Sequence, residues 1–136
     1  MYDRMTEEAN KEGLNFNLDN IKKTPNTVFS HLLIKLAEQT NVHNEVKEKI
    51  YHSYFINGHN IGDKEILINI GKEFNIEKEM INNFFNEDNI EKVSSFILIA
   101  KEKEINGVPF FEIGNDVISG AQSTANLEAI IKANLN

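Results

Sequence analysis

Gly107-Val108-Pro109-Phe110-Phe111-Glu112-Ile113, followed by Gly114-Asn115-Asp116-Val117-Ile118-Ser119-Gly120-Ala121-Gln122, breaks the pattern of everything before it. Val108 to Ile113 is a short apolar run. Gly114-Asn115-Asp116 is a turn signal, and Val117-Ile118 returns as a second strand. The reading is a small β-hairpin. Two strands do not make a stable sheet alone, so helices or further strands must cover them. Ser123 or Thr124 then caps a last helix carrying Leu127, Ile130 and Ile131.

Upstream of the hairpin nearly everything reads as helix. Tyr2, Met5 and Ala9 recur at helical spacing over residues 2–12, and Gly13 suits the position just past a helix end. Leu14, Phe16 and Leu18 alternate with Asn15 and Asn17, which predicts a short extended segment with one apolar side. Thr24 with Pro25 behind it, or Asn26, marks the next helix start. Phe29, Leu32, Leu33, Leu36 and Ala37 then follow the i, i+3, i+4, i+7, i+8 stripe of an amphipathic helix. Residues 43–57 repeat the pattern with Val46, Ile50 and Tyr54. Asn57-Gly58-His59-Asn60-Ile61-Gly62 ends that helix, and Asp63 caps the next, which carries Ile66, Leu67 and Ile70 and ends near Phe74. Met80, Ile81, Phe84 and Phe85 mark another helix. Asp88 or Asn89 starts a further one with Ile90, Val93, Ile97 and Ala100. No repeat of fixed period and no low-complexity linker interrupts this order.

Composition narrows the function classes. The chain has 136 residues, a formal net charge of −7, 40% hydrophobic and 26% charged residues, and no cysteine. One domain of ordinary globular composition is expected. The acidic balance argues against nucleic acid or an anionic membrane as partner, because phosphate binding needs concentrated cations. No run approaches the ~20 apolar residues that span a bilayer. The first residues hold no apolar core of a secretory signal, so a cytoplasmic location is expected. Without cysteine there are no disulfides, thiolate zinc sites or thiol nucleophiles. His43, His52 and His59 lack ligand spacing with any carboxylate pair and read as surface residues, so no metal and no cofactor is expected.

Four stretches in this order carry a resemblance: Pro25-Asn26-Thr27 with His31 just after; Tyr54-Phe55 through Gly58, then Ile61-Gly62-Asp63; Gly107-Val108-Pro109-Phe110-Phe111; and Ser119-Gly120-Ala121-Gln122. Each is weak alone. Together they cover nearly the whole chain, which resembles the DsbA-like thioredoxin family, in particular its cytosolic FrnE-type branch. The resemblance implies a thioredoxin fold interrupted by an all-helical insertion, and oxidation, reduction or isomerisation of protein disulfides through a C-x-x-C motif. The kappa-class glutathione transferase and isomerase branch fits less well, since its members tend to carry a Trp-Gly-Gln-Asp-type segment where Ser119-Gly120-Ala121-Gln122 stands here.

The departure is large. The family's first strand, its C-x-x-C and its next strand would precede Met1, so the chain resembles the family's C-terminal portion, and a thiolate has no substitute in that chemistry. By resemblance, Pro109 is the cis proline that faces the active-site cysteines. Gly107, Val108 and Pro109 would then be the substrate-binding edge, with Val108 offering its backbone to an extended substrate. The residues themselves equally accommodate a trans proline on an edge strand. The resemblance also brings Asn26, Thr27 and His31 near the active site, whereas His31 read by itself is a solvent-exposed or cap-region histidine, off the apolar stripe.

The expected fold is therefore helix-rich α/β: one domain over 1–136, a helical insertion over 26–105, and an incomplete thioredoxin-like remainder at 1–25 and 106–136. The expected function is that of the C-terminal portion of a protein thiol–disulfide oxidoreductase, with no catalytic residue of its own. The alternative is a redox-inactive peptide- or protein-binding module. The expected partners are a protein or peptide substrate, a missing N-terminal half, or a second copy meeting the uncovered strand edge.

Overall fold

The computed structural model describes residues 2–135, apart from the side chains of Tyr2, Asp3 and Ile97. The expected helical stripes that include Tyr2 and Ile97 therefore lie partly outside the described side chains. Among the described residues seven α-helices and two strands follow in the order α1 (Tyr2–Lys11), α2 (Val28–Ala37), α3 (His43–Phe55), α4 (Lys64–Glu73), α5 (Lys78–Phe84), α6 (Glu87–Glu102), β1 (Phe110–Ile113), β2 (Asp116–Ser119) and α7 (Thr124–Asn134). The chain is helix-rich α/β, as its periodicities predict. It divides into two compact units, residues 1–94 and 95–136.

The first unit is built on α2. Its apolar stripe buries Leu32, Leu33, Leu36 and Ala37. Around it pack Val46 and Ile50 of α3, Leu67, Ile68 and Ile70 of α4, Ile81 of α5, and Ile76, Ile61 and Phe85 from the connections. Ile90 and Val93, at the start of α6, lean on the same cluster. Each fully buried branched side chain contributes about 1.5–3 kcal/mol, so this cluster dominates the stability of the unit. Helix ends are closed by residues suited to a left-handed backbone. Gly13 at φ +74° follows α1, and the Leu14 amide reaches back to the Ala9 carbonyl at 2.8 Å. Asn75 at φ +60° follows α4, with the Ile76 amide on the Gly71 carbonyl. These are Schellman-type closures, in which carbonyls left free at a helix end find donors.

Three local readings change. Residues 14–18 form no strand: Leu18–Asn20 is a turn of 3-10 helix, and the stretch before it is pinned to the end of α3 instead. The Asn17 amide donates to the Phe55 carbonyl at 2.8 Å, and Phe16 stacks on Phe55 with centroids 4.6 Å apart. Of the alternating residues Leu18 is buried, Phe16 is half-buried against Phe55 and Leu14 is exposed. The second change is the start of α2. It lies at Val28, past Thr24-Pro25, and of the two expected start residues it is Asn26 that engages the helix, its side chain accepting the Val28 amide at 3.0 Å. The third is the start of α6, where Asn86 rather than Asp88 or Asn89 is the capping side chain and accepts the Asn89 amide of the first turn at 2.9 Å. Asp63 and Ser123 cap α4 and α7 as expected, through the amides of Glu65 and Asn126.

The second unit is a different kind of object. β1 and β2 pair antiparallel, with Phe110 opposite Ser119, Phe111 opposite Ile118, Glu112 opposite Val117 and Ile113 opposite Asp116. Gly114, at φ +60°, takes the positive φ that a two-residue hairpin turn needs. Asn134 of α7 ties down that turn: its Oδ1 accepts the Asn115 amide and its Nδ2 donates to Asp116. Phe111, Ile113 and Ile118 share the Asp116 face by the two-residue period of a strand, so α7 covers that face. The other face carries Phe110, Glu112 and Val117. Among the described residues of 95–136, none is buried.

Candidate substrate-binding edge

The lead-in to β1 is the most exposed apolar stretch of the second unit. Val108 is 90% exposed, and the Val108–Pro109 peptide bond is cis. No atom stands within 4 Å of where a Gly107 Cβ would sit. The Pro109 carbonyl accepts the Gly120 amide at 2.9 Å, which extends the β1–β2 ladder by one rung before Phe110.

That rung fixes which way the backbone points. In an antiparallel pair, opposed residues alternate between those that exchange hydrogen bonds and those that do not. Pro109 opposite Gly120 is a bonded position, so Phe111 and Ile113 also address β2. Phe110 and Glu112 therefore turn their N–H and C=O groups to the other side, while Val108 lies ahead of the strand, beyond the cis bond, and stands in solvent. Among the described residues β1 pairs with β2 alone. Two outward rungs, at Phe110 and Glu112, are left on that edge, and unpaired outward groups of this kind are what an added strand uses. Glu112 is held by Lys103, whose Nζ lies 2.9 and 2.7 Å from its two carboxylate oxygens.

Asn26, Thr27 and His31 lie in the first unit. All three are exposed at the start of α2, where the His31 amide donates to the Thr27 carbonyl at 3.0 Å. The main chain of Asn26 meets the 58–63 loop, so two of the four resemblance stretches do come together. Ser30 Oγ, buried, donates to the Ile61 carbonyl at 2.6 Å and fastens the same loop. Gly107, Val108 and Pro109 belong to the second unit.

Of the histidines expected at the surface, His52 and His59 are exposed and His43 is not. His59 Nδ1 lies 3.0 Å from the hydroxyl of buried Ser53, and that bond closes the loop after α3. His43 is half-buried, with Nδ1 shielded from solvent and no hydrogen-bond partner. A six-residue spacing such as 53 to 59 carries no helical or strand signal, so nothing in the sequence points to it. Among the described residues no group of histidine, aspartate and glutamate is placed to hold a metal ion. No helix among them is long and apolar enough to cross a membrane.

A family model of the DSBA-like thioredoxin domain matches residues 1–132. The uncharacterized protein YwbO of Bacillus subtilis is 27% identical over 115 residues, 83% of this chain and 58% of that protein. The crystal structure of a probable DsbA oxidoreductase, SCO1869, from Streptomyces coelicolor superposes with a TM-score of 0.72 at 21% identity, over 97% of this chain and 56% of the other. The chain thus spans little more than half the length of the relatives it matches. With its helical body, its hairpin and a family match that runs nearly from end to end, the chain belongs to the DSBA-like thioredoxin domain family.

Proposed function

We propose that these 136 residues are the substrate-engaging portion of a FrnE-type protein thiol–disulfide oxidoreductase. The polypeptide substrate lies along the Val108–Glu112 edge as an added strand, and the redox cysteines come from polypeptide outside these residues. The observation that supports this reading best is the pair of outward backbone groups at Phe110 and Glu112, next to the exposed Val108 and the cis Val108–Pro109 bond in a DSBA-like chain. Strand addition takes its affinity from main-chain hydrogen bonds and its selectivity from alternate side chains, here Val108 and Phe110. Gly107 leaves the approach to that edge clear of side chain. Asn26, Thr27 and His31, exposed at the start of α2, are assigned to the surroundings of the completed active site. The lack of cysteine suits a reducing compartment, and the cytoplasm is the proposed location.

The test is complementation. The chain is mixed with a polypeptide carrying the family's first strand and C-x-x-C, and insulin disulfide reduction is followed. A rate above that of the cysteine-bearing piece alone is the expected result. No gain overturns the reading.

The absence of cysteine supports a second reading, a redox-inactive module that captures extended peptides at the same edge. It predicts peptide binding by the isolated chain with no gain in the insulin assay. A second copy competes for the same rungs, and light scattering across a concentration series separates self-association from peptide capture.

A further inference from the structure

Asn-Gly occurs twice, at Asn57-Gly58 and Asn106-Gly107. The pair carries its own chemistry. The glycine nitrogen attacks the asparagine Cγ, ammonia leaves, and a five-membered succinimide forms. Water then opens the ring at either carbonyl, to aspartate or isoaspartate. No oxidant or enzyme enters the balance. Glycine favours the attack because it has no Cβ to shield its nitrogen and reaches backbone angles other residues avoid.

The fold holds the two pairs differently. At Asn57-Gly58 the nucleophile is engaged: the Gly58 amide donates to the Tyr54 carbonyl at 3.1 Å. The Asn57 amide donates to the His52 carbonyl, and Gly58 sits at φ +69° with the backbone of Asn20 packed against it. The loop must open before Gly58 reaches the Asn57 side chain. At Asn106-Gly107 both residues are exposed. Among the described residues the Gly107 amide has no acceptor, and nothing lies within 4 Å of its missing Cβ. The Asn106 side chain is held by one bond, from Nδ2 to the Glu104 carbonyl at 2.9 Å. That bond holds the group that departs and leaves Cγ open to attack.

We infer that Asn106 is a self-modification site, which converts through a succinimide to isoaspartate and aspartate while Asn57 stays protected by its fold. The isoaspartyl product adds a backbone methylene and a carboxylate two residues ahead of Val108. It therefore sits at the entrance to the edge of the proposed function, although the modification itself does not depend on that function. Attack needs the deprotonated Gly107 nitrogen, so the rate rises with pH.

The whole chain is aged in mildly alkaline buffer, digested, and mapped by mass spectrometry with isoaspartyl methyltransferase labelling. Asn106 is expected to convert at least about tenfold faster than Asn57, because reaction at Asn57 waits on local opening. Synthetic peptides of the two sites are expected to convert at similar rates, which places the difference in the fold. Gly107→Ala, which meets no atom, is expected to slow conversion at Asn106 without shifting the melting temperature. Equal rates at the two sites in the folded chain, or an unchanged rate in Gly107→Ala, overturn the inference.

Discussion

The main chain of Asn26 runs so close to Gly62 that a Cβ on the glycine would stand 2.7 Å from the Asn26 carbonyl oxygen. The crossing joins the entry to α2 with the loop before α4, and neither backbone has a flexible end to yield. Gly62→Ala must push the two apart. The expected loss is about 1–3 kcal/mol, the usual cost of forcing atoms into a packed site. Urea denaturation reads it as a lower midpoint at unchanged slope. A wild-type midpoint would deny the crossing.

Leu33 has no solvent exposure and sits at the centre of the helical cluster. Leu33→Ala removes buried atoms and leaves a cavity, at an expected cost of about 2–5 kcal/mol. Leu98 is 59% exposed on α6. Leu98→Ala is expected to stay within about 0.5 kcal/mol of wild type. Equal costs at the two leucines would contradict the division between a packed and an open unit.

Ser30→Ala strips the donor from the Ile61 carbonyl inside the first unit. A carbonyl left without its partner costs about 1–3 kcal/mol, more than the net worth of the bond itself. Thermal melting is the measurement, and loss beyond the effect of removing one hydroxyl's packing is the expected sign.

The hydrogen bond and charge of Lys11, with a smaller part from Arg4, hold the Glu8 carboxyl below the usual carboxylate range. A depressed carboxylate stabilises the fold above its unfolded pKa. That contribution is lost as pH falls through the lower, folded value. NMR titration of Glu8 is expected to show a midpoint below the ordinary glutamate value, moving up in Lys11→Ala. Both groups are exposed, so the accompanying change in stability is expected to be small.

The Glu112 amide faces away from β2, so a proline there spares the hairpin ladder and removes one outward donor. Glu112→Pro is expected to weaken peptide capture roughly 2- to 12-fold, the equivalent of one net hydrogen bond. Glu112→Gln keeps the amide and is expected to bind as wild type, since the exposed Lys103 pair contributes little. Fluorescence anisotropy with a labelled extended peptide distinguishes them. Equal weakening in both variants would assign the effect to the carboxylate instead of the backbone.

The helices were legible because burial writes itself into sequence as a 3.6-residue stripe. Phe29, Leu32, Leu33, Leu36 and Ala37 announce both α2 and the face it buries. Asp63 and Ser123 announce their caps for a related reason: a short acceptor just before an apolar run has one good use. The hairpin was legible from its turn. What stayed hidden depends on partners far along the chain. Leu14 to Leu18 alternates like a strand, and only the Phe55 carbonyl and ring make it something else. Thr24-Pro25 looks like a helix start until the Asn26 side chain takes the Val28 amide. The Ser53–His59 bond has no sequence signal at all. At the edge, the apolar run and proline were readable. The direction in which Phe110 and Glu112 point their backbone was not, because it follows from one rung between Pro109 and Gly120.

The outward rungs of β1 also have a kinetic meaning. If a strand docks there as proposed, it meets Val108 already in solvent. Encounter is then limited by diffusion and by the need to align two chains, which gives association rates in the range of about 10⁵–10⁷ M⁻¹s⁻¹ typical of oriented docking. Sequences that suit the edge well and sequences that suit it badly should arrive equally fast. On the proposed reading they differ in how long they stay, so discrimination at this edge would be a matter of residence time.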